Sequence, residues 1–230
     1  MSETLKYVGQ GFNVMRLLQI SDVHGSFDAV SRTAEKAKGF DAIIVAGDIT
    51  HFGSIPQAET LLGKLAETGL DVFFVAGNCD HPSLLSWTPR NPRIVNLHLR
   101  KIRFGGFELV GLAGGNISPF NTYIEFSEDQ IASMLSTLNP SSPNFILISH
   151  TPPYGADADI GRGTHLGSTA VREYVEKHKP LAVCCGHIHE ARSISMIGRT
   201  KVVNAGPSRD GFCASLKVAE NDVEVELLRL

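Results

Sequence analysis

Five short apolar runs, each ending in a side chain that can bind a metal ion, constrain this chain more than any other feature. The clearest is Ala42-Ile43-Ile44-Val45-Ala46, which stops at Gly47 and then presents Asp48. Leu17-Leu18-Gln19-Ile20 leads to Asp22 and His24, and Val72-Phe73-Phe74-Val75-Ala76 leads to Gly77-Asn78. Phe145-Ile146-Leu147-Ile148 leads to His150, and Leu181-Ala182-Val183-Cys184-Cys185 leads to Gly186-His187-Ile188-His189. Apolar runs of this length, bounded by turn residues, read as strands buried on both faces. One Gly-Asp after a strand is ordinary turn chemistry. Five strands that each deliver Asp, His or Asn at the same end point to a common site, because ligands of open α/β sheets collect beyond the carboxyl ends of the strands.

The segments between the runs fix the connections. Ser26 is placed to cap a helix carrying Phe27, Val30, Ala34 and Ala37 at helical spacing, with Gly39 as its stop. Pro56 opens a second helix with Leu61, Leu62 and Leu65 on one face, stopped by Gly69. Strand–helix–strand–helix–strand over residues 14–76 predicts a parallel, right-handed βαβαβ half. Residues 81–93, with Pro82, Pro89 and Pro92, read as loop. Ile94 to Leu99 and Phe107 to Leu112 have no long helix between them, only a Gly105-Gly106 break, which predicts antiparallel or mixed pairing. Ser127-Glu128-Asp129-Gln130 has the form of a capping box ahead of Ile131, Met134, Leu135 and Leu138. The loop 151–167 has the length of a functional loop over a site, and Ser168 can cap a helix with Val171, Tyr174 and Val175. The tail from Ile194 supplies further short strands, with Asn221-Asp222 as a turn. The expectation is one α/β domain over residues 1–230, two stacked sheets with helices outside, in which residues 1–14 form an N-terminal extension, irregular or an added edge strand.

Composition excludes several classes. The net charge of −3 gives no overall pull toward nucleic acid or an anionic membrane. Arg90, Arg93, Arg100, Lys101 and Arg103 form one basic patch, read as a solvated loop and strand edge. Cys79, Cys184, Cys185 and Cys213 show no C-x-x-C spacing, which argues against a zinc ribbon or redox motif and fits a reduced chain. No stretch reaches the roughly 18 apolar residues of a membrane span, and Met1 to Gln10 lacks the apolar core of a signal peptide. The expected location is therefore cytoplasmic. Oligomeric state is not legible.

Asp22, His24, Asp48, Asn78, His150, His187 and His189 are all nitrogen or oxygen ligands, the set that suits first-row transition metals such as Mn, Fe, Ni or Zn. In a strand-like segment residues i and i+2 point the same way, so Asp22 with His24, and His187 with His189, are expected to grip metal as pairs. Seven ligands exceed one tetrahedral site and suffice for two ions sharing a bridging carboxylate.

The series D-x-H at 22–24, G-D at 47–48, G-N at 77–78, a single His at 150 and G-H-x-H at 186–189 resembles the calcineurin-like metallophosphoesterase family. That resemblance implies a four-layer αββα sandwich of two mixed β-sheets flanked by helices, and a binuclear metal centre. Carried over position by position, Asp22, His24 and His189 hold the first metal, Asn78, His150 and His187 the second, and Asp48 bridges. The implied activity is hydrolysis of a small phosphodiester or phosphomonoester by in-line attack of a metal-bound hydroxide, with two divalent transition-metal ions, manganese among them, as cofactors.

Two departures from the commonest family pattern matter. Where the family usually carries Gly-Asn-His-Glu, with the His implicated in protonating the leaving group, this chain has Gly77-Asn78-Cys79-Asp80, the form of a smaller branch. A thiol is a poor general acid unless its pKa is tuned, so Cys79, His81 and His165 are the candidate catalytic residues, with His51 a further possibility. No Asp-Arg-Gly element follows Gly47-Asp48, which argues against phosphoprotein substrates. Gly114-Gly115-Asn116 reads either as a phosphate-contacting loop or as turn chemistry, and Asn204-Ala205-Gly206-Pro207 resembles a family element near the metals, here expected to be structural. Cys79 lacks the Cys-x5-Arg loop of a cysteine phosphatase. The alternative reading is a catalytically weak or inactive scaffold of the same fold serving as a protein-interaction module; scaffolds lose ligands, and here all seven positions are filled. A nuclease would want a basic face that is not evident.

Overall fold

The computed structural model describes residues 14–230. The expected extension lies outside the described residues except for Val14. In chain order the elements are β1 (Met15–Ile20), α1 (Phe27–Lys36), β2 (Ala42–Ala46), α2 (Ile55–Ala66), β3 (Asp71–Val75), β4 (Ile94–Asn96), β5 (Lys101–Phe104), β6 (Phe107–Leu112), β7 (Gly115–Asn116) and β8 (Glu125–Phe126). There follow α3 (Glu128–Thr137), β9 (Phe145–Ser149), β10 (Ile160–Gly161), β11 (Thr164–His165), α4 (Thr169–His178), β12 (Ala182–Cys185), β13 (Ser193–Ile197), β14 (Thr200–Asn204), β15 (Phe212–Val218) and β16 (Val223–Arg229).

Two six-stranded mixed sheets result, one ordered β16-β15-β1-β2-β3-β4 and the other β13-β14-β12-β9-β6-β5. In the first, β1 through β4 run parallel and β15 and β16 close the sheet antiparallel. In the second, β6, β9, β12 and β14 are parallel, with antiparallel β5 and β13 at the edges. The stretch read as antiparallel or mixed is where the chain changes sheets. Its first strand, β4, adds parallel to β3, whereas β5 and β6 form the hairpin that opens the second sheet.

Strand alternation separates the layers. On β9, Phe145 and Leu147 pack with Ile131 and Leu135 of α3 and Val171 and Val175 of α4, while Ile146 and Ile148 join the core shared with the first sheet. The adjacent cysteines obey the same period of two: Cys184 faces the first sheet and Cys185 the helices, both fully buried. The first sheet's other face is covered by α1 and α2, whose Val30, Leu61, Leu62 and Leu65 share that core. The arrangement is the αββα sandwich.

Local signals place the helix starts. Ser26 accepts from the Ala29 N–H, and Ser168 accepts from the Val171 N–H. Ser127 and Gln130 form both bonds of the capping box, the kind of cap that stabilises a helix by about 1 kcal/mol. On α1 the predicted face holds at Val30 and Ala37, both buried, and fails at Phe27 in the first turn, which is exposed; Ala29 and Thr33 complete the buried stripe.

Candidate metal centre

The parallel strands of both sheets end at one cleft, and their following loops are tied together there. The segment after β1 runs along the segment after β2: the N–H groups of Asp22, His24 and Gly25 donate to the carbonyls of Gly47, Asp48 and Ile49 at 2.8–3.0 Å. Across the sheets, the backbone N–H of His187 reaches both Asp22 carboxylate oxygens at 3.2 Å.

Two glycines let these loops meet. A Cβ at Gly47 would sit 2.2 Å from His150 Nδ1, and one at Gly77 would sit 2.1 Å from Asp48 Oδ1. Any side chain at either position would expel a ligand candidate. Strain collects here as well: Asp22, His24, Asp48 and His187 all have positive φ, at 53°, 46°, 50° and 70°. Non-glycine residues avoid this region, and such outliers concentrate at functional sites.

The expected pairing holds for one couple and not for the other. Asp22 and His24 lie beyond the strand in left-handed backbone and still share one ligand group. His187 and His189 diverge instead of acting as a pair. His189 joins Asp22 and His24, with its Nε2 3.3 Å from Asp22 Oδ1 and 3.2 Å from His24 Nε2. His187 joins Asn78 and His150: its Nδ1 and His150 Nε2 each lie 2.9 Å from Asn78 Oδ1.

Asp48 stands between the two groups. Its Oδ2 is 3.5 Å from His24 Nε2, and its Oδ1 is 3.5 Å from His150 Nε2. All seven candidate ligands therefore share one cleft, split three and three with Asp48 between. A cavity of about 410 Å³ lies elsewhere, between α4 and the β13–β14 turn, and none of the seven lines it.

The buried carboxylates and the imidazoles beside them shift one another's protonation. Burial alone would raise the Asp48 carboxyl, but the adjacent His150 imidazole outweighs it and holds Asp48 well below the usual carboxylate range. Asp22 is likewise lowered against its burial, by the hydrogen bond to His189. Burial opposes protonation of His150, yet Asp48 and Asp22 raise it to about 9. Burial and the neighbouring His150 push His187 down to about 4. The His150 Nδ1–H donates to the Ala46 carbonyl at 2.8 Å, which turns Nε2 into the cleft. Two buried carboxylates beside imidazoles and an amide oxygen make an N/O donor set that fits divalent transition-metal ions.

The candidate acids are less uniformly placed. Cys79 is half-buried, and burial together with Asp48 pushes its thiol up. Its Sγ and ring nitrogens of His24 and His51 lie within 4.8 Å of one another. His81 is spent locally, its Nδ1 accepting from the Ser83 N–H. His165, on β11, donates from Nδ1 to the buried Asp159 at 2.5 Å. Neither His81 nor His165 falls in the ligand groups.

Further residues hold the ligand loops in place, of which Thr122 and Arg209 carry no signal in the sequence and are found only by proximity. Asp80 is fully buried and accepts from the N–H groups of Ile49, Thr50 and Gly77, tying the β2 loop to the β3 loop. Thr122 Oγ1 accepts from the Asn78 amide at 2.9 Å, which orients Asn78 Oδ1 toward the two imidazoles. Arg209 Nη2 lies 3.3 Å from His189 Nδ1. Asn204 is structural as expected, its amide donating to the carbonyls of Gly186 and Ile188 and so holding the G-H-x-H loop. In the Gly-Gly-Asn stretch, the Asn116 amide oxygen accepts from Thr151 next to His150.

Comparison with known proteins identifies the family and the fold. The family profile described as calcineurin-like phosphoesterase matches residues 15–191. An uncharacterized protein of Methanocaldococcus jannaschii is 36% identical over 201 residues, covering 84% of this chain and 88% of its own. A probable cyclic nucleotide phosphodiesterase of Vesicomyosocius okutanii is 24% identical over 161 residues, 69% of this chain and 66% of that protein. The crystal structure of a Thermus thermophilus protein superposes with a TM-score of 0.71 at 20% identity, over 93% of this chain and 99% of the other.

Proposed function

This chain belongs to the calcineurin-like phosphoesterase family, and on that premise we propose that it is a binuclear-metal-dependent hydrolase of small phosphodiesters or phosphomonoesters. The observation that carries the reading is the position of Asp48, one carboxylate oxygen toward His24 and the other toward His150. Asp22, His24 and His189 would hold one ion, Asn78, His150 and His187 the other, and Asp48 both. Two divalent ions so held would supply Lewis acidity at the phosphoryl group and a water nucleophile active near neutral pH.

The chain's own contribution is orientation. The Ala46 carbonyl fixes the His150 tautomer, Thr122 fixes the Asn78 amide, and Asp80 fixes the loop that carries Asp48. No serine or cysteine nucleophile is required; the Cys79 thiol, pushed up by burial, is held protonated. The relative named as a probable cyclic nucleotide phosphodiesterase supports a diester among the substrates.

The test is a metal-by-substrate screen of the purified protein, with Mn²⁺ or Ni²⁺ against bis-p-nitrophenyl phosphate, p-nitrophenyl phosphate, nucleotides and cyclic nucleotides. Hydrolysis should depend on the metal, and calorimetry should count two ions per chain. Asp48→Asn and His150→Ala should each abolish turnover. Near-wild-type turnover in either variant would overturn the ligand assignment.

A further inference from the structure

A continuous wall of rings leads away from the candidate metal centre. It starts at His24, whose ring centroid is 5.3 Å from that of His51. His51 lies 4.8 Å from Phe52, and Phe52 lies 4.9 Å from Tyr123, both edge to face. Tyr123 in turn faces His81 at 6.5 Å. Phe52 and Tyr123 nevertheless remain 42% and 52% exposed, so their rings meet each other without being covered.

Both rings are fixed to the centre by backbone. The Phe52 N–H donates to the Cys79 carbonyl at 2.9 Å. Tyr123 lies between Thr122, whose hydroxyl accepts from the Asn78 amide, and Ile124, whose N–H donates to the Asn78 carbonyl. The loop that presents Tyr123 is rigidly built. Glu125 accepts from the backbone and hydroxyl of both Ser118 and Thr122, at 2.6–3.3 Å. Phe52 itself has a φ of 56°, a conformation that a bulky aromatic side chain rarely adopts and that persists where the surroundings impose it.

We propose that Phe52 and Tyr123 form the subsite for the organic group of the substrate, and that this group carries a planar aromatic ring. The proposal rests on the hydrolase reading, because the phosphoryl group must sit at the metals for its organic group to reach the wall. Two exposed rings held edge to face suit a third planar ring, which can stack on one and meet the edge of the other. A short polyol or alkyl group would gain little there. Aryl and nucleoside esters share this chemistry.

The experiment uses the Mn²⁺-loaded protein and three non-hydrolysed probes measured by calorimetry: inorganic phosphate, methylphosphonate and phenylphosphonate. Phenylphosphonate should bind about tenfold more tightly than methylphosphonate. Phe52→Gly, which removes the ring and relaxes the backbone, and Tyr123→Ala should each erase most of that difference while leaving phosphate affinity unchanged. Initial rates on thymidine 5′-phosphate against ribose 5-phosphate separate a nucleobase from a simple aryl group: a tenfold higher kcat/KM for the nucleotide assigns the ring to a base. Equal binding of the two phosphonates, with phosphate still bound, overturns the subsite and leaves the hydrolase reading standing. Failure of all three anions to bind overturns both. A changed elution volume of either variant on size exclusion would assign the wall to self-association and overturn the proposal.

Discussion

Asp80 accepts two hydrogen bonds from Thr50, one from its backbone N–H at 2.7 Å and one from its hydroxyl at 2.8 Å. With the bonds from Ile49 and Gly77, this buried carboxylate is the knot between the loop that carries Asp48 and the loop that carries Asn78. Burial and the Asp48 charge push Asp80 up to about 6, and the donors around it favour its ionised form above that pH.

Asp80→Asn should therefore be costly although Asp80 is not among the candidate ligands. The variant turns an amide toward backbone N–H donors and leaves buried groups unpaired, a loss on the order of 2 kcal/mol. Thermal unfolding should fall by several degrees and Mn²⁺ affinity by about tenfold. Unchanged melting and unchanged calorimetric affinity would show that the two loops hold their places without it.

Thr122→Val keeps the shape of the side chain but removes both the acceptor of the Asn78 amide and the hydroxyl bond to Glu125, whose other three donors from this loop remain. Asn78 is then free to turn its oxygen away from His150 and His187. The expected result is Mn²⁺ affinity about tenfold weaker with little change in melting temperature. Retained affinity would mean that the two imidazoles alone orient Asn78.

Leaving-group dependence follows from Cys79. Its thiol is pushed up by burial and by Asp48, which makes it a weak proton donor at neutral pH. Diesters with a p-nitrophenol leaving group should be hydrolysed at least about 100-fold faster than matched alkyl diesters, the contribution a general acid commonly makes. Equal rates in a matched series would show that another group delivers the proton, and His51 and His165 would then be replaced in turn.

A pH effect on stability is expected at His98. Burial pushes this imidazole down to about 4, and its Nδ1 accepts from the Ala113 N–H at 3.1 Å. The unfolded chain takes up a proton near the ordinary histidine value of 6.5 while the folded chain does not. Stability is thus intact above pH 6.5 and is lost progressively as pH falls toward 4, by an amount on the order of 2 kcal/mol. Urea unfolding at pH 7 and about pH 4.5 should show this loss in the parent and a flatter dependence in His98→Gln. Parallel curves for the two proteins would rule out His98 as the source.

The local rules were legible in the sequence. Apolar runs became β1, β2, β3, β9 and β12, and the caps Ser26, Ser127 and Ser168 were visible because each uses residues three apart. The first-helix face held at Val30 and Ala37 and failed only at Phe27, which satisfies helical spacing in the first turn yet remains exposed. The i, i+2 expectation held for Asp22 and His24, which share one ligand group, and failed for His187 and His189, where His187 takes left-handed backbone that residue type alone does not announce.

Which side chains end the strands could be read along the chain, since strand period, glycine breaks and ligand chemistry are all written within a few residues of one another. How those side chains divide came from the family resemblance and not from spacing along the chain, and the geometry of that division appears only in the fold. His189 meets Asp22 across 167 positions and His187 meets Asn78 across 109, pairings set by two sheets stacking with their carboxyl ends at one cleft. Folding also brought Thr122, Phe52 and Tyr123 beside the ligand loops. Their roles come from what surrounds them in space, and no local spacing encodes it.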